Sequence, residues 1–316
     1  MTLWIIGIVA VLVVGGFLAL QYAIARNGPA VLDTADRITG GTRGVELAAS
    51  AQFGGAAAQK IRVYKGAADE KAQPVIIFAH GGSWRNGNPD DYGFIARALV
   101  PEGFVVVLAG YRMHPDAVYP AMLEDTASAV AWTKANIAQY GGDPERIILT
   151  GHSAGAYNVV MTALDQQWLA REGLSGDDII AVAGLAGPYD FFPFDSESTI
   201  DSFGPAKEPA ATQPINAVRG DAPPMLFVHG EKDTLVYPRN SRVLAKAITE
   251  AGGDARAEFF PEMAHNEPLM ALASPYRRDA KVLNLIAEFA RETASQAAQQ
   301  PAEALAQQTS VPVQGE

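Results

Sequence analysis

The sequence predicts an α/β fold with a mostly parallel, doubly wound sheet. Short apolar runs rich in Val and Ile recur along the chain, and such runs are typical of strands that are buried on both faces. Longer stretches with helical periodicity separate them, which indicates crossover connections between parallel strands. With 48% hydrophobic and 19% charged residues, the chain can bury the large core that this fold needs.

The predicted strands and helices alternate along most of the chain. We expect strands at 60–65, 74–79, 105–108, 147–150, 180–185, 225–229 and 257–260. We expect helices at 92–99, 119–138, 154–164, 240–251 and 277–291. The run Pro-Val-Ile-Ile-Phe-Ala at 74–79 is continuously apolar, so we expect that strand to be buried on both faces.

The 316 residues suit one large catalytic domain, which we place at 59–292. The segment 27–58, rich in Gly and Ala, is predicted to be a linker with at most one short strand. The segment 293–316, mostly Ala, Gln, Pro and Glu, has no packing pattern and is predicted to be disordered.

Residues 3–25 carry no charged side chain and are long enough to cross ~30 Å of hydrocarbon as a helix. They predict a transmembrane anchor at 1–26, with the lipid bilayer as a partner. A cleaved signal peptide is the alternative, because Ala-Ile-Ala at 23–25 resembles a cleavage site, and the protein would then be secreted or periplasmic. No Lys or Arg precedes the run, which favours the anchor. The side of the membrane stays open.

The composition excludes several classes of function. The chain has no cysteine, which rules out disulfides, thiolate metal sites and a cysteine nucleophile. Its formal net charge of -11 argues against a nucleic-acid partner, whose phosphates require clustered Lys and Arg. Oligomeric state stays open at this stage.

A Gly-His-Ser-Ala-Gly motif at 151–155 is the sharpest local signal in the chain. It directly follows one predicted strand and opens the predicted helix at 154–164. A G-x-S-x-G motif in this setting is typical of a nucleophile elbow, where a serine lies on a strained turn between glycines. We therefore expect Ser153 to be the nucleophile and the Ala154 N–H to face the oxyanion that forms.

A second glycine-containing loop, His-Gly-Gly-Ser-Trp at 80–84, follows the predicted strand at 74–79. Glycine lets backbone N–H groups approach a substrate oxygen, so we assign Gly81 and Gly82 as oxyanion-hole donors together with Ala154. Trp84 either lines the acyl pocket or packs in the core, and both interpretations stay open.

The general base is sought after Ser153, because hydrolases with this elbow carry their triad in the chain order serine, acid, histidine. His265 lies in a loop between the predicted strand at 257–260 and the last helix, where we expect a catalytic imidazole. His229 closes a strand and is expected to be structural.

The carboxylate that orients the base is expected to be Asp233. It follows the predicted strand at 225–229, at the end where a carboxylate can accept the imidazole N–H. Glu231 and Asp190 are the rival candidates. Asp190 is better explained by a turn or by hydrogen bonds around the pocket.

Taken together, these motifs resemble those of carboxylesterases of the α/β-hydrolase superfamily. The segments that carry the resemblance lie at 80–84, 141–144, 151–155, 229–233 and 265–266. The group includes hormone-sensitive-lipase-like esterases, feruloyl-esterase-like bacterial enzymes and kynurenine formamidases. The resemblance implies an α/β-hydrolase fold and a serine esterase that needs no metal and no cofactor. Ala156 departs from the pattern, because a third glycine often follows the elbow in such enzymes.

The expected substrate is a small or aromatic carboxylic ester. The segment 190–224 contains several Phe residues, and we expect it to cover the site. Trp84, Tyr189 and Phe191 are the candidate substrate-binding residues. The same triad serves an amidase, a formamidase or a peptidase, so those activities stay open. A membrane-anchored binding protein on an inactive hydrolase scaffold is the alternative from another class.

Overall fold

A sheet of eight strands forms the centre of the described chain. The computed structural model describes residues 2–40, 44–67, 72–277 and 279–309, without the side chains at 2–11 and 300–309. The strands are β1 Val45–Gln52, β2 Lys60–Gly66, β3 Gln73–Ala79, β4 Val105–Ala109, β5 Gly142–His152, β6 Ala181–Leu185, β7 Met225–Gly230 and β8 Ala255–Phe260. Their order is β1-β2-β4-β3-β5-β6-β7-β8, and only β2 runs against its neighbours.

Helices cover both faces of this sheet. They are α1 Thr2–Thr39, α2 Gly93–Leu99, α3 Ala121–Asn136, α4 Ala154–Leu164, α5 Gln167–Arg171, α6 Glu197–Phe203, α7 Arg239–Glu250, α8 Glu267–Met270 and α9 Lys281–Thr309. In α7 the buried positions include Asn240, Leu244 and Ile248, a four-residue spacing that places them on one face.

Alternating side chains of the strands supply two hydrophobic cores. In β3, Ile77 packs into the core beneath α3, α4 and α7, whereas Ile76 and Phe78 pack into the core beneath α2 and α9. This alternation follows from the two-residue period of a strand. Burial on both faces explains why the central strands are continuously apolar in sequence.

The strand order reverses direction between β3 and β5. From β3 the chain moves outward to β4, then returns to form β5 on the other side of β3. Ligands of open α/β sheets bind outside the carboxyl ends of strands at such a switch point. β3 and β5 pair in parallel with Ala79 opposite Gly151, so the loop at 80–84 and Ser153 start side by side.

The mostly parallel, doubly wound sheet predicted from the sequence is confirmed. Where the sequence predicts a linker, at 27–58, the structure has the second half of α1 and all of β1. α9 continues to Thr309, into the segment predicted to be disordered. Residues 310–316 of that segment lie outside the described residues.

The structure does not support the predicted transmembrane anchor. Within the residues that the structure describes, no helix is both long and apolar enough to span a bilayer. α1 runs along the apolar segment, although the side chains at 2–11 lie outside the description.

Buried ion pairs bind the second half of α1, residues 28–39, to the rest of the domain. The non-helical backbone of Asn27, with φ -155° and ψ 78°, interrupts the helix. Beyond it, the Arg97 guanidinium of α2 bonds Asp33 and Asp36 of α1, each at 2.5 Å. Asp36 also accepts from the backbone N–H of Ser274 at 2.6 Å. These contacts make the second half of α1 part of the same domain as the sheet.

Candidate active site

Ser153 lies between β5 and α4 on a tight, strained turn. Its backbone has φ 54° and ψ -119°, a conformation that residues with a side chain rarely adopt. A Cβ at Gly151 would lie 2.4 Å from the carbonyl oxygen of Gly155. A Cβ at Gly155 would lie 2.2 Å from the carbonyl oxygen of Ala79 in β3. Both glycines are therefore required, because the elbow packs directly against neighbouring backbone.

Hydrogen bonds join Ser153, His265 and Asp233 in one row. His265 Nε2 lies 2.9 Å from Ser153 Oγ, and His265 Nδ1 lies 2.7 Å from Asp233 Oδ2. Because an ionised carboxylate only accepts hydrogen bonds, Nδ1 of His265 carries the proton, and Nε2 accepts from the serine hydroxyl. A serine hydroxyl held in this way can pass its proton to the imidazole as it attacks a carbonyl carbon.

The sheet explains how residues so far apart in the chain meet. Asp233 follows β7 and His265 follows β8, and these two strands pair in parallel with Gly230 opposite Phe260. The two loops touch at Gly230, where a Cβ would lie 2.2 Å from the Met263 carbonyl oxygen. A larger residue at position 230 would therefore push the two loops apart.

Asp233 is held by hydrogen bonds on both carboxylate oxygens. Oδ1 accepts from the backbone N–H groups of Leu235 and Val236, each at 2.9 Å. Oδ2 accepts from His265 and, at 3.2 Å, from Nε2 of His229. Burial alone would raise the pKa of Asp233, but the hydrogen bonds from His229 and His265 hold it well below its usual range. The carboxylate therefore stays ionised at neutral and mildly acidic pH.

The loop after β3 passes directly over Ser153. A Cβ at Gly81 would lie 3.3 Å from Ser153 Cβ and 3.0 Å from His152 Nδ1. Gly82 has φ +123°, and a Cβ there would lie 1.8 Å from the Asn86 carbonyl oxygen. Glycine at 81 lets the loop approach the serine, and glycine at 82 lets the loop turn back on itself at Asn86. Ala154 opens α4 on the other side of the hydroxyl, so its N–H belongs to a helix N-terminus.

His80 anchors the start of this loop. Its Nδ1–H donates to the Gly81 carbonyl oxygen at 2.8 Å, and its own carbonyl oxygen accepts from the Tyr111 hydroxyl at 2.8 Å. The rings of Tyr111 and Tyr92 stack on the imidazole with centroids 4.5 Å and 5.8 Å away. Burial lowers the pKa of His80 to about 4, so the ring is neutral near pH 7.

His152, next to the serine, holds the histidine loop. Its Nε2–H donates to the carbonyl oxygen of His265 at 3.0 Å. Burial, and then the neighbouring His265 ring, lower the pKa of His152 to about 3. This contact fixes the backbone of His265 relative to the elbow. The loop at 80–84 and His265, which both lie next to the Ser153 hydroxyl, are therefore each held by a buried histidine.

A cavity of 370 Å³ opens beside Ser153. One wall comes from the loop at 80–84, a second from the segment after β6, and a third from residues just after Asp233. The apolar side chains in these walls include Trp84, Phe191, Phe192, Leu235, Val236 and Tyr237. Arg239 and Asp190, which pair at 2.6 Å, also line the cavity. The site therefore offers apolar surface with a paired charge on one side.

Aromatic side chains fill the space behind the wall that contains Trp84. The Trp84 indole N–H donates to Asn158 Oδ1 at 3.0 Å. Its ring centroid lies 4.7 Å from that of Phe203 and 5.3 Å from that of Tyr157, both edge to face, and 5.9 Å from that of Phe191. Trp84 and Phe191, two of the predicted substrate-binding residues, thus line the cavity and close it on this side.

Tyr189, the third predicted substrate-binding residue, is not in the cavity wall. Its side chain is fully buried, and its ring centroid lies 5.1 Å from that of Phe227. A Cβ at Gly184 would lie 2.2 Å from the Tyr189 hydroxyl oxygen, so the ring packs onto β6. The structure corrects this prediction, because the position of a residue just after a strand does not reveal which way its side chain turns.

The wall formed by residues 235–237 was not predicted from the sequence. Leu235 and Tyr237 follow Asp233 closely, are 69% and 62% exposed, and face the cavity. Three successive apolar residues after a turn are the signal that could have revealed this wall. The predicted cover, 190–224, contributes to the cavity mainly through its first ten residues.

The fold and the site together define the class of the protein. A mostly parallel sheet, a serine elbow after β5, and an acid and a histidine after β7 and β8 are the features of an α/β-hydrolase. Among the residues that the structure describes, no group of three or more His, Asp or Glu side chains could hold a metal ion.

The chain belongs to the BD-FAE family, whose sequence profile matches residues 61–248. This places it among the α/β-hydrolase carboxylesterases. It is similar to the carboxylesterase NlhH of Mycobacterium tuberculosis, with 30% identity over 246 residues, 70% of this chain and 74% of NlhH. It is also similar to the esterase LipQ of the same organism, with 35% identity over 199 residues, 57% of this chain and 46% of LipQ.

Among solved structures, the esterase B of Lactobacillus rhamnosis inhibited by a tributyrin phosphonate matches with a TM-score of 0.76. The match covers 91% of this chain and 97% of that chain at 19% identity, a level that shows the shared fold alone. The chain spans about half the length of the curated relatives LipQ and LipC, at 46% and 49%.

Proposed function

We propose that this protein hydrolyses carboxylic esters with Ser153 as nucleophile, His265 as general base and Asp233 as the residue that orients the base. The observation that carries the proposal is the unbroken row of hydrogen bonds, 2.9 Å and 2.7 Å long, that ends on a serine in a strained elbow. The esterase names of the similar proteins NlhH and LipQ support the same reaction.

The reaction runs in two halves. Ser153 Oγ attacks the ester carbonyl carbon while its proton moves to His265 Nε2, and the carbonyl oxygen gains the negative charge. The backbone N–H groups of Gly81, Gly82 and Ala154 surround that oxygen and stabilise it. His265 then gives the proton to the leaving alcohol, which departs from the acyl-enzyme. A water molecule passes a proton to His265 as its oxygen attacks the acyl carbon. The bond to Ser153 Oγ then breaks, His265 returns the proton to Oγ, and the acid is released.

The expected substrates are esters of short acids with small or aromatic groups. The rings packed behind Trp84 leave no space for a long chain on that side of Ser153, and the cavity volume of 370 Å³ is at the small end of ligand pockets. Phe191 and Tyr237 supply flat apolar surface on the remaining walls.

Labelling with a fluorophosphonate probe tests the proposal, in parallel with turnover of p-nitrophenyl acetate. We expect one adduct on Ser153, and we expect S153A to lose both the adduct and turnover. The matched control is S202A, which removes another buried serine hydroxyl outside the site. An unlabelled wild-type protein would exclude a serine hydrolase and favour a binding function. Faster turnover of N-formylkynurenine than of any ester would instead assign an amidase.

A further inference from the structure

We infer that the hydrogen-bond row does not end at Asp233 but continues through His229 to Ser241, and that these two residues position the acid. This inference rests on the proposed function, because it gives His229 and Ser241 a role only through Asp233 and His265. The row then reads Ser241, His229, Asp233, His265, Ser153, with a histidine on each side of one carboxylate.

The contacts of His229 are short and completely buried. Its Nδ1 lies 2.7 Å from Ser241 Oγ. Its Nε2 lies 2.8 Å from the Val236 carbonyl oxygen and 3.2 Å from Asp233 Oδ2. The side chains of His229 and Asp233 and the whole of Ser241 have no exposed surface, so no solvent competes for these bonds.

The chemistry of the partners fixes where the protons lie. A carbonyl oxygen and a carboxylate oxygen both only accept, so Nε2 of His229 must carry a proton that it shares between them. The hydroxyl of Ser241 can donate, so in a neutral ring Nδ1 accepts from it. Ser241 therefore selects the tautomer of His229 that presents an N–H to Asp233.

His229 completes the set of donors around the acid. The two backbone N–H groups on Oδ1 and the two imidazole N–H groups on Oδ2 use all four acceptor directions of the Asp233 carboxylate. Without His229, Oδ2 would be held by His265 alone, so the position of that oxygen would be less firmly fixed. His229 also withdraws part of the negative charge that would otherwise stabilise a protonated His265.

The three parts come from one short stretch of chain. His229 is the penultimate residue of β7, Ser241 lies in the first turn of α7, and Asp233 lies in the loop between them. The loop is also closed by the bond from Asp233 N–H to the Gly230 carbonyl oxygen at 3.2 Å. The strand and the helix are rigid, so the acid is held from both ends.

The variants H229L and H229Q separate positioning from folding. Leucine removes the N–H that faces Asp233, whereas glutamine keeps an N–H at the place of Nε2. With concentrations taken from fluorophosphonate titration, we expect H229L to lower kcat about tenfold at unchanged KM. We expect the acid limb of the pH profile of kcat/KM to move to higher pH, because Asp233 then carries more unshared negative charge beside the imidazole. H229Q recovers most of both changes.

The variant S241A tests the outer end of the row without touching the triad. It frees the tautomer of His229, so we expect a smaller loss of kcat, about threefold, with the same direction of pH shift. S202A is the matched control, since it also deletes one buried helical hydroxyl, and it keeps the wild-type profile. If H229L does not fold, S241A and H229Q decide the question.

Two results would overturn the inference. One is a titrated H229L or S241A enzyme with wild-type kcat and pH profile. The other is an equal loss in H229Q and H229L with an unmoved acid limb, which would indicate a structural role only. In either case, labelling of the wild-type enzyme on Ser153 would leave the proposed function intact. A wild-type enzyme that is not labelled would contradict the proposed function itself.

Discussion

At the scale of single residues, Trp84 decides how much room a substrate has. Its indole is 3% exposed, lines the cavity beside Ser153, and is held by Asn158 and by the rings around it. Replacing it by alanine removes the wall and leaves space for a longer acyl chain. We expect W84A to raise the kcat/KM ratio of p-nitrophenyl octanoate to acetate at least about tenfold.

A second buried tryptophan provides the control for that experiment. Trp168 is also 3% exposed, but it packs against Tyr119 in another part of the core. W84A and W168A should both destabilise the fold by about 3–5 kcal/mol, while only W84A should change the preference for chain length. Equal ratios in the two variants would remove Trp84 from the proposed substrate site.

Asp233 tests the proposed triad in a different way from the serine. In D233N the amide replaces the ionised carboxylate and favours the wrong tautomer of His265, which then offers an N–H instead of a lone pair to Ser153. We expect kcat to fall about 10⁴-fold with little change in KM. Steady-state kinetics on p-nitrophenyl acetate measure this, and a loss of less than tenfold would point to another acid. The rival carboxylate Asp190 pairs with Arg239, so D190N is the comparison.

What the sequence could predict at this scale depended on local motifs. Ser153, Asp233 and His265 follow strands, so their chain positions alone indicated that they would meet at one edge of the sheet. The link from His229 to Ser241 gave no such signal, because a serine in a helix and a histidine in a strand are ordinary core residues in sequence. The bond from His152 to the His265 backbone spans 113 positions and leaves no local pattern.

At the scale of elements, prediction succeeded where periodicity was strong. The helix predicted at 154–164 has the same bounds in the structure, because all of its residues are buried and apolar runs mark it clearly. One short strand was allowed within 27–58, but the bounds of β1, Val45–Gln52, were not predicted, because it is an edge strand of small and polar residues. β1 is stabilised by antiparallel pairing with β2, and the local sequence does not reveal that pairing.

The buried ion pairs of α1 give a prediction about the stability of that element. Asp33, Asp36 and Arg97 have side chains that are 4%, 0% and 7% exposed. In R97M, Asp36 loses its short ion pair and keeps only Arg277, 4.0 Å away, while Asp33 keeps its pair with Arg37 at 2.6 Å. Both carboxylates stay buried, so we expect the free energy of unfolding to fall by about 3–5 kcal/mol. Urea denaturation followed by circular dichroism measures the change.

The control for R97M is an arginine–aspartate ion pair that is more exposed. Arg62 and Asp90 are 26% and 29% exposed, and Lys60 also binds Asp90. R62M should therefore lower the free energy of unfolding by no more than about 1 kcal/mol. Similar losses in R62M and R97M would show that the second half of α1 is not fastened by its buried charges.

At the scale of the whole molecule, two neutral histidines lie inside the fold. His80 and His152 are 1% and 3% exposed, and burial lowers their pKa values to about 4 and about 3, against 6.5 in the unfolded chain. Both rings support the candidate site: His80 anchors the start of the loop at 80–84, and His152 bonds the backbone of His265. The supports of the site therefore make the stability of the protein sensitive to acid.

The sign of that sensitivity follows from proton binding. In the unfolded chain His80 and His152 bind protons below pH 6.5, whereas in the folded chain they bind them only near pH 4 and pH 3. The stability that these two residues contribute is therefore complete above pH 6.5 and is lost as the pH falls. Each histidine contributes a slope of at most ~1.4 kcal/mol per pH unit. We expect urea unfolding at pH 7.5, 6.5, 5.5 and 4.5 to show this decline. H80N keeps an N–H for the Gly81 carbonyl but cannot titrate, so it should reduce the pH slope of the unfolding free energy by up to the contribution of one histidine. An unchanged slope in H80N would contradict the proposal that buried, neutral His80 causes part of the decline.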